Sequence, residues 1–215
     1  MPRSQADWRS LSGIAAGPLF ILVFLVAGAL TPGYSVARHP VSTLVLGEYG
    51  WAQVLSFLIT GALVIAFATV FWRERRSLAL FLVMAGIGLI GAGIFRTDAV
   101  AGFPPKSATV VTPSVFGLLH ELFSMLFFLG VPLAAATVPL RCLRIRRRSD
   151  AIYSIVSASL FLVFFVLAGI GFDGTTPGFD AWGGLMQRIC IATGLGWITV
   201  LALSIRREGL AALDP

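Results

Sequence analysis

Residues 51–95 read WAQVLSFLITGALVIAFATVFWRERRSLALFLVMAGIGLIGAGIF, two apolar runs separated by the basic tetrapeptide RERR. Each run is about 20 residues long, the length at which an α-helix crosses about 30 Å of hydrocarbon. Because the connection between them is so short, the second helix must return antiparallel to the first and pack against it. The stretch therefore predicts a hairpin of two membrane-spanning helices.

Four further apolar runs of similar length follow or precede this hairpin. We place the six spans at roughly 11–30, 51–72, 77–95, 114–140, 151–171 and 184–205. Only 12% of the 215 residues are charged, whereas a soluble domain carries about 25%. The runs also lack the alternation of outer-membrane β-strands. The sequence predicts an all-α integral membrane protein, a bundle of six transmembrane helices.

The basic residues alternate between the two sides of these spans. Twelve of the sixteen Lys and Arg lie before span one or after spans two, four and six. By the positive-inside rule, both termini are expected in the cytoplasm, as an N-terminal segment 1–10 and a tail 206–215 flanking a membrane domain 11–205. The expected location is the cell (inner or plasma) membrane. Since the net charge of +6 comes from these short clusters, no nucleic-acid partner is expected.

The connections on the opposite side are longer, and polar residues gather there. Segments 31–50, 96–113 and 172–184 are rich in Gly and Pro and are predicted to form turns and short caps rather than helices. Charged groups within spans tend to pair, to line water or to mark pathways. The candidate polar cluster at this end comprises His39, Glu48, Arg96, Asp98, His120, Glu121, Asp173 and Arg188.

His120 and Glu121 are adjacent in an otherwise apolar span. Neighbouring positions on a helix differ by about 100°, so only one of the two side chains points straight into the bundle. We expect a buried His120 near Asp98, with Glu121 turned toward the outer interface. Arg188 is expected to balance one of the carboxylates, Asp98, Asp173 or Glu121, because an unpaired buried charge is costly.

Three functions remain open on these residues. The favoured one is the binding or transport of a small amphiphile or lipid through a polar pocket near the outer leaflet, with membrane lipids as partners. The second is a membrane-embedded metal-dependent hydrolase that uses His39, Asp98 and His120 as ligands. The third is a structural or assembly subunit, and a homo-oligomer is also left open. The sequence has no HExxH, GxSxG, Walker or dinucleotide motif, so no cofactor is assigned.

Four segments resemble, in order and over nearly the whole chain, the bacterial six-span membrane family catalogued as domain of unknown function 998. They are RHPVSTLVLGEYGWAQVLSFLITGALVIAFA (38–68), GIFRTD (93–98), FGLLHELFSMLFFLGVPLA (116–134) and GGLMQRICIATGLGW (183–197). The most specific matching positions are His39, Ser42, Gly47, Gly50, Trp51, Asp98 and His120. The resemblance implies the six-span architecture and implies no particular activity.

Overall fold

The computed structural model describes residues 3–107, 112–139 and 148–208. Within them, six helices are long and apolar enough to cross a membrane. They are α1 (Arg3–Leu30), α2 (Gly50–Ala68), α3 (Arg76–Ile94), α4 (Val115–Ala136), α5 (Arg148–Asp173) and α6 (Gly183–Glu208). The predicted six-helix architecture is confirmed, and the chain is a multi-pass membrane protein.

The helix ends differ from the predicted spans mainly where polar residues continue a helix. The first helix begins at Arg3, inside the segment that was predicted as a cytoplasmic tail, and the last one continues to Glu208. Apolar length marks only the membrane-crossing part of a helix, whereas residues such as Gln, Ala and Arg extend it into water. Most of the arginine-rich connection (140–147) and the end of the tail (209–215) lie outside the described residues.

The helices form a ring in chain order, with α1 packed against both α2 and α6. The α2–α3 hairpin is present as predicted, and α3 packs closely against α4 on its other side. Over the described ranges, the seam between α4 and α5 is the least extensively packed of the ring. This seam is where a molecule from the surrounding membrane has the least side-chain packing to displace.

Glycine permits the close approach of α3 to its neighbours. A Cβ atom on Gly88 would stand 2.5 Å from the backbone nitrogen of Phe127 in α4, and one on Gly61 would stand 2.6 Å from the backbone oxygen of Gly86. Such distances leave no room for a side chain at either glycine. The glycine-rich run 86–93 therefore acts as a helix-packing surface, as small residues commonly do in membranes.

Three connections meet at one end of the bundle, which we call the long-loop end: segment 31–49, the described residues 95–107 and 112–114, and segment 174–182. The first of them was predicted to form turns, but it contains a short 3₁₀ helix, Val41–Leu46. Val41, Leu44 and Val45 are almost fully buried. Burial of the apolar side chains of VSTLVL favours packing of this segment against the bundle. The Gly and Pro residues on either side of it led to the prediction of turns alone.

Candidate functional site

Arg188 occupies the centre of the long-loop end, and its guanidinium is held by oxygen atoms. The side chain is only 5% exposed. Its Nη1 donates to three backbone carbonyls, those of Val36 (2.6 Å), His39 (3.1 Å) and Gly184 (2.9 Å). Its Nη2 donates to the hydroxyl of Tyr34. Arg188 thus fastens the 31–40 segment to the start of α6.

The charge of Arg188 is compensated by dipoles and aromatic rings. The ring centroids of Tyr34 and Phe24 lie 5.4 and 5.7 Å from the guanidinium carbon. Cation–π attraction operates at these distances. Within residues 3–107, 112–139 and 148–208, no carboxylate pairs with this guanidinium. The prediction that Arg188 balances Asp98, Asp173 or Glu121 is wrong, because backbone carbonyls of the 31–40 segment and of Gly184 accept hydrogen bonds from its guanidinium instead.

His39 is a buried, neutral histidine of the same segment. Its Nδ1 accepts a hydrogen bond from the backbone N–H of Ser35 at 3.0 Å, so the ring proton of the neutral form is on Nε2. Burial, together with the positive charges of Arg38 and Arg188, lowers the pKa of His39. Protonation of Nδ1 would place its N–H against the backbone N–H of Ser35, so that two hydrogen-bond donors would face each other.

Stability should therefore fall on mild acidification. As the pH drops below the ordinary pKa of 6.5, the unfolded chain takes up a proton at His39 before the folded chain does, and the free energy of unfolding decreases. We expect a lower thermal midpoint in detergent at pH 5.5 than at pH 7.5. His39→Asn keeps an acceptor near the Nδ1 position and does not titrate, so its midpoint should change less. An equal decrease in both proteins would assign the effect to other groups.

His120 is almost fully buried, at 1% exposure, which confirms the predicted inward orientation. Its Nδ1 lies 3.0 Å from the carbonyl oxygen of Ala92 and 2.8 Å from that of Phe95. Both are acceptors at the C-terminal end of α3, so Nδ1 carries a proton, and in the neutral imidazole Nε2 keeps a lone pair. The expected interaction of His120 with Asp98 is not a hydrogen bond, because carbonyls left unpaired at the end of α3 accept the Nδ1 proton instead.

Asp98 instead caps the start of α4. Its Oδ2 accepts a hydrogen bond from the backbone N–H of Ser114 at 2.8 Å, while the Ser114 hydroxyl accepts from the N–H of Gly117 at 3.0 Å. A negative charge at a helix N-terminus is favourable, because the first N–H groups have no partner in the helix. The carboxylate lies so close to Gly117 that a Cβ atom there would overlap it. Asp98 therefore has a structural role.

The other members of the predicted cluster are spread over the long-loop end. Arg96 donates to the carbonyl of Val45 at 3.1 Å, Asp173 accepts from the hydroxyl of Thr175 at 2.8 Å, and Glu48 is exposed. The eight residues do not form one site. The three suggested metal ligands are His39, Asp98 and His120, and each has different partners. Among the described residues, no three His, Cys, Asp or Glu side chains converge in a way that would hold a metal ion.

A cavity of about 200 Å³ lies between α4, α5 and α6, and we call it the α4–α5 crevice. Its polar side chains are Glu121, Ser124 and Gln187, and its aromatic side chains are Phe128, Phe165 and Phe172. A smaller cavity of about 50 Å³ shares four of these residues and extends to His120. The two cavities adjoin at these shared residues, and the smaller one reaches a buried imidazole.

The crevice lies just inside the long-loop end of the helices. Glu121 is about 9 Å along α4 from Val115, and Gln187 is about 6 Å along α6 from Gly183, at 1.5 Å per residue. Glu121 is exposed, and the side chain of Phe172 is 40% exposed. The mouth therefore opens on the bundle surface at the α4–α5 seam, within about two helical turns of the long-loop end of α4.

Of the residues that line the crevice or the smaller cavity, only Glu121 and His120 belong to the cluster predicted from sequence. Gln187 was overlooked because its neighbour Arg188 carries the charge, yet its Oε1 accepts from the backbone N–H of Val41 at 2.8 Å. The sequence did offer a signal for Gln187, because a polar amide side chain is unusual in an apolar span. Ser124 and the phenylalanines give no signal of this kind, because serine and phenylalanine are ordinary in a membrane helix.

A third cavity, of about 240 Å³, lies among the loops of the long-loop end and is lined in part by Arg38, His39 and Asp180. Arg38 and Asp180 form an ion pair at 3.0 Å, with 54% and 42% of their side chains exposed. Exposed pairs of this kind contribute little to stability. The pair links the 31–49 and 174–182 segments at the surface.

Comparisons with known proteins bear on the family of the chain. A search of curated proteins and a search of solved structures each found no match. A family model described as "Protein of unknown function (DUF998)" matches residues 14–204, a range that includes the crevice and every residue of the predicted polar cluster. The chain belongs to the DUF998 family.

Proposed function

We propose that the protein binds a small amphiphile or membrane lipid in the α4–α5 crevice. The observation that carries this proposal is the arrangement of the crevice lining, with three polar side chains beside an aromatic wall. A ligand with a polar head and an apolar chain satisfies both surfaces at once. A fully polar solute would leave the aromatic wall uncovered, and an alkane would leave the polar groups unpaired.

The size of the crevice limits how much of the ligand it encloses. Sites that enclose a whole drug-sized molecule measure about 300–1,000 Å³, and this crevice has about 200 Å³. It accommodates a head group and the first methylenes, while the rest of the chain extends through the α4–α5 seam into the membrane. Entry from the side fits the loose packing of this seam.

We place the protein in the inner (plasma) membrane with both termini in the cytoplasm. The support comes from the sequence: twelve of the sixteen Lys and Arg lie before span one or after spans two, four and six, which places them all on one side of the membrane. In this orientation the crevice faces the outer leaflet. Binding is proposed in preference to transport, because the cavity that adjoins the crevice and reaches His120 has a volume of only about 50 Å³.

Filling the crevice tests the proposal. Ala168 lines it and is 3% exposed, so Ala168→Trp should occupy the space that a ligand needs. In native mass spectrometry of protein extracted from membranes, we expect wild type to retain a lipid-sized adduct that Ala168→Trp lacks. Ile152→Trp is the matched control, since Ile152 is 59% exposed on the same helix. Equal adducts on all three proteins, or none on wild type, would contradict the proposal.

A further inference from the structure

We infer that the α4–α5 crevice selects an amphiphile whose head group is an ammonium ion. This inference rests on the proposed function and specifies the ligand class of the same site. Three independent features of the lining carry it: an uncompensated carboxylate, an excess of hydrogen-bond acceptors and a wall of phenylalanine rings.

The carboxylate is that of Glu121, which lines both adjoining cavities. Within the part of the chain that the structure describes, no Lys, Arg or His side chain forms an ion pair with Glu121. The nearest cation along α6 is Arg188, but its guanidinium donates to carbonyls of the 31–40 segment and of Gly184. A carboxylate on an apolar helix surface, with no cation of the described residues against it, attracts a cationic ligand.

The neighbouring polar groups mostly accept hydrogen bonds. The Nδ1 proton of His120 is donated to the carbonyls of α3, so in the neutral imidazole Nε2 is an acceptor, and this residue lines the smaller cavity. Ser124 adds a hydroxyl that accepts as well as donates. The side-chain oxygen of Gln187 already accepts a hydrogen bond from the N–H of Val41, so its NH2 group is what remains to donate. An ammonium head supplies the donors that this set needs, whereas a phosphate or sulfate head would bring further lone pairs and like charge.

The opposite wall of the crevice is aromatic. The rings of Phe128 and Phe165 lie 4.9 Å apart, and Phe172 lines the same space nearer the mouth. The face of a phenylalanine ring attracts a cation, more strongly where water is excluded. A carboxylate on one side and ring faces on the other therefore give the crevice a preference for positive charge, whether the ammonium belongs to a phospholipid or to a free long-chain amine.

The test compares single-chain probes with different heads, added to the full-length protein in a nonionic detergent. The probes are decylammonium, lysophosphatidylethanolamine, decyl glucoside and decyl sulfate, and native mass spectrometry gives the Kd of each. We expect at least one of the two ammonium probes to bind about tenfold or more tightly than the glucoside and the sulfate. Tight binding of the lysophospholipid identifies a lipid head group as the source, and tight binding of decylammonium alone identifies a free amine.

Glu121→Gln is the decisive variant, with Glu48→Gln as its matched control. Both glutamates are exposed, and only Glu121 lines the crevice, so neither change should impair folding. The preference for ammonium should disappear in Glu121→Gln and persist in Glu48→Gln. Suppose that wild type binds the glucoside and sulfate probes as tightly as the ammonium probes, and that Ala168→Trp binds none of them. The crevice is then a binding site, and the proposed selectivity for ammonium is wrong. If no probe distinguishes Ala168→Trp from wild type, the proposed function itself is wrong.

Discussion

Replacing Arg188 with methionine is expected to lower the free energy of unfolding by about 3–5 kcal/mol, because several hydrogen bonds from a charged group, each worth about 1.5–3 kcal/mol, are lost at once. The substitution removes the guanidinium donor from the carbonyls of Val36, His39 and Gly184 and from the hydroxyl of Tyr34. These groups are packed between the 31–40 segment and α6, where water cannot readily replace the guanidinium. Each unsatisfied buried group costs about 1–3 kcal/mol.

The matched control is Arg38→Met, which removes an arginine of the same long-loop end. Its guanidinium is about half exposed and pairs with Asp180, so the expected loss is about 0–1 kcal/mol. Unfolding of both variants by a denaturing detergent gives the comparison directly. Equal losses for Arg188→Met and Arg38→Met would show that the buried oxygen cage does not hold the long-loop end together.

The second large effect is expected at Gly88, where α3 and α4 come closest. In Gly88→Ala the new methyl group would stand 2.5 Å from the backbone nitrogen of Phe127 and 2.7 Å from the backbone oxygen of Phe123. Backbone atoms of a helix cannot rotate away, so the two helices must separate. We expect a loss of about 1–3 kcal/mol or more from overpacking, measured by the same unfolding assay.

Gly196→Ala is the control for the change of residue type. No heavy atom lies within 4 Å of a Cβ atom built on Gly196, and this glycine is also inside a helix. Alanine is about 1 kcal/mol more favourable than glycine in a helix interior, so Gly196→Ala should be neutral or stabilising. If Gly88→Ala behaves in the same way, the close contact of α3 with α4 is not as described.

The membrane spans were predictable from sequence because the length of an apolar run measures one quantity, the thickness of hydrocarbon to be crossed. The short RERR connection fixed the α2–α3 hairpin for the same reason, since a four-residue link allows no other arrangement. The burial of His120 was also predictable, because a helix presents only one face to the bundle. All three inferences depend on local spacing alone.

The hydrogen-bond partners were not predictable in this way. Charge suggested that Arg188 and His120 would pair with carboxylates, but both donate to backbone carbonyls instead. Every residue has a carbonyl, and its availability depends on where loops and helix ends meet in three dimensions. Asp98 likewise pairs with the backbone of Ser114. A sequence shows the charges and hides these competing acceptors.

The α4–α5 crevice could not be predicted from the sequence either, because it too depends on which segments meet in the folded bundle. Its lining comes from three helices that meet only in the folded bundle, and most of its residues are ordinary in a membrane span. Glu121 gave the one clear signal, a carboxylate in an apolar run. Among the residues that the structure describes, Glu121 has no hydrogen-bond donor or cation against it, whereas Asp98 caps a helix and Asp173 accepts from Thr175. This difference distinguishes a candidate ligand-binding group from groups that stabilise the fold.

Photocrosslinking in membranes tests most directly whether the α4–α5 crevice is a binding site. The probe is an alkylammonium with a diazirine close to the head, irradiated with the full-length protein, and the adducts are mapped by mass spectrometry. The predicted result is adducts concentrated in residues 121–128 and 165–172, reduced by excess decylammonium and absent from Ala168→Trp. Adducts spread evenly over the exposed faces of all six helices, unchanged by competitor and by Ala168→Trp, would contradict a binding site in the crevice.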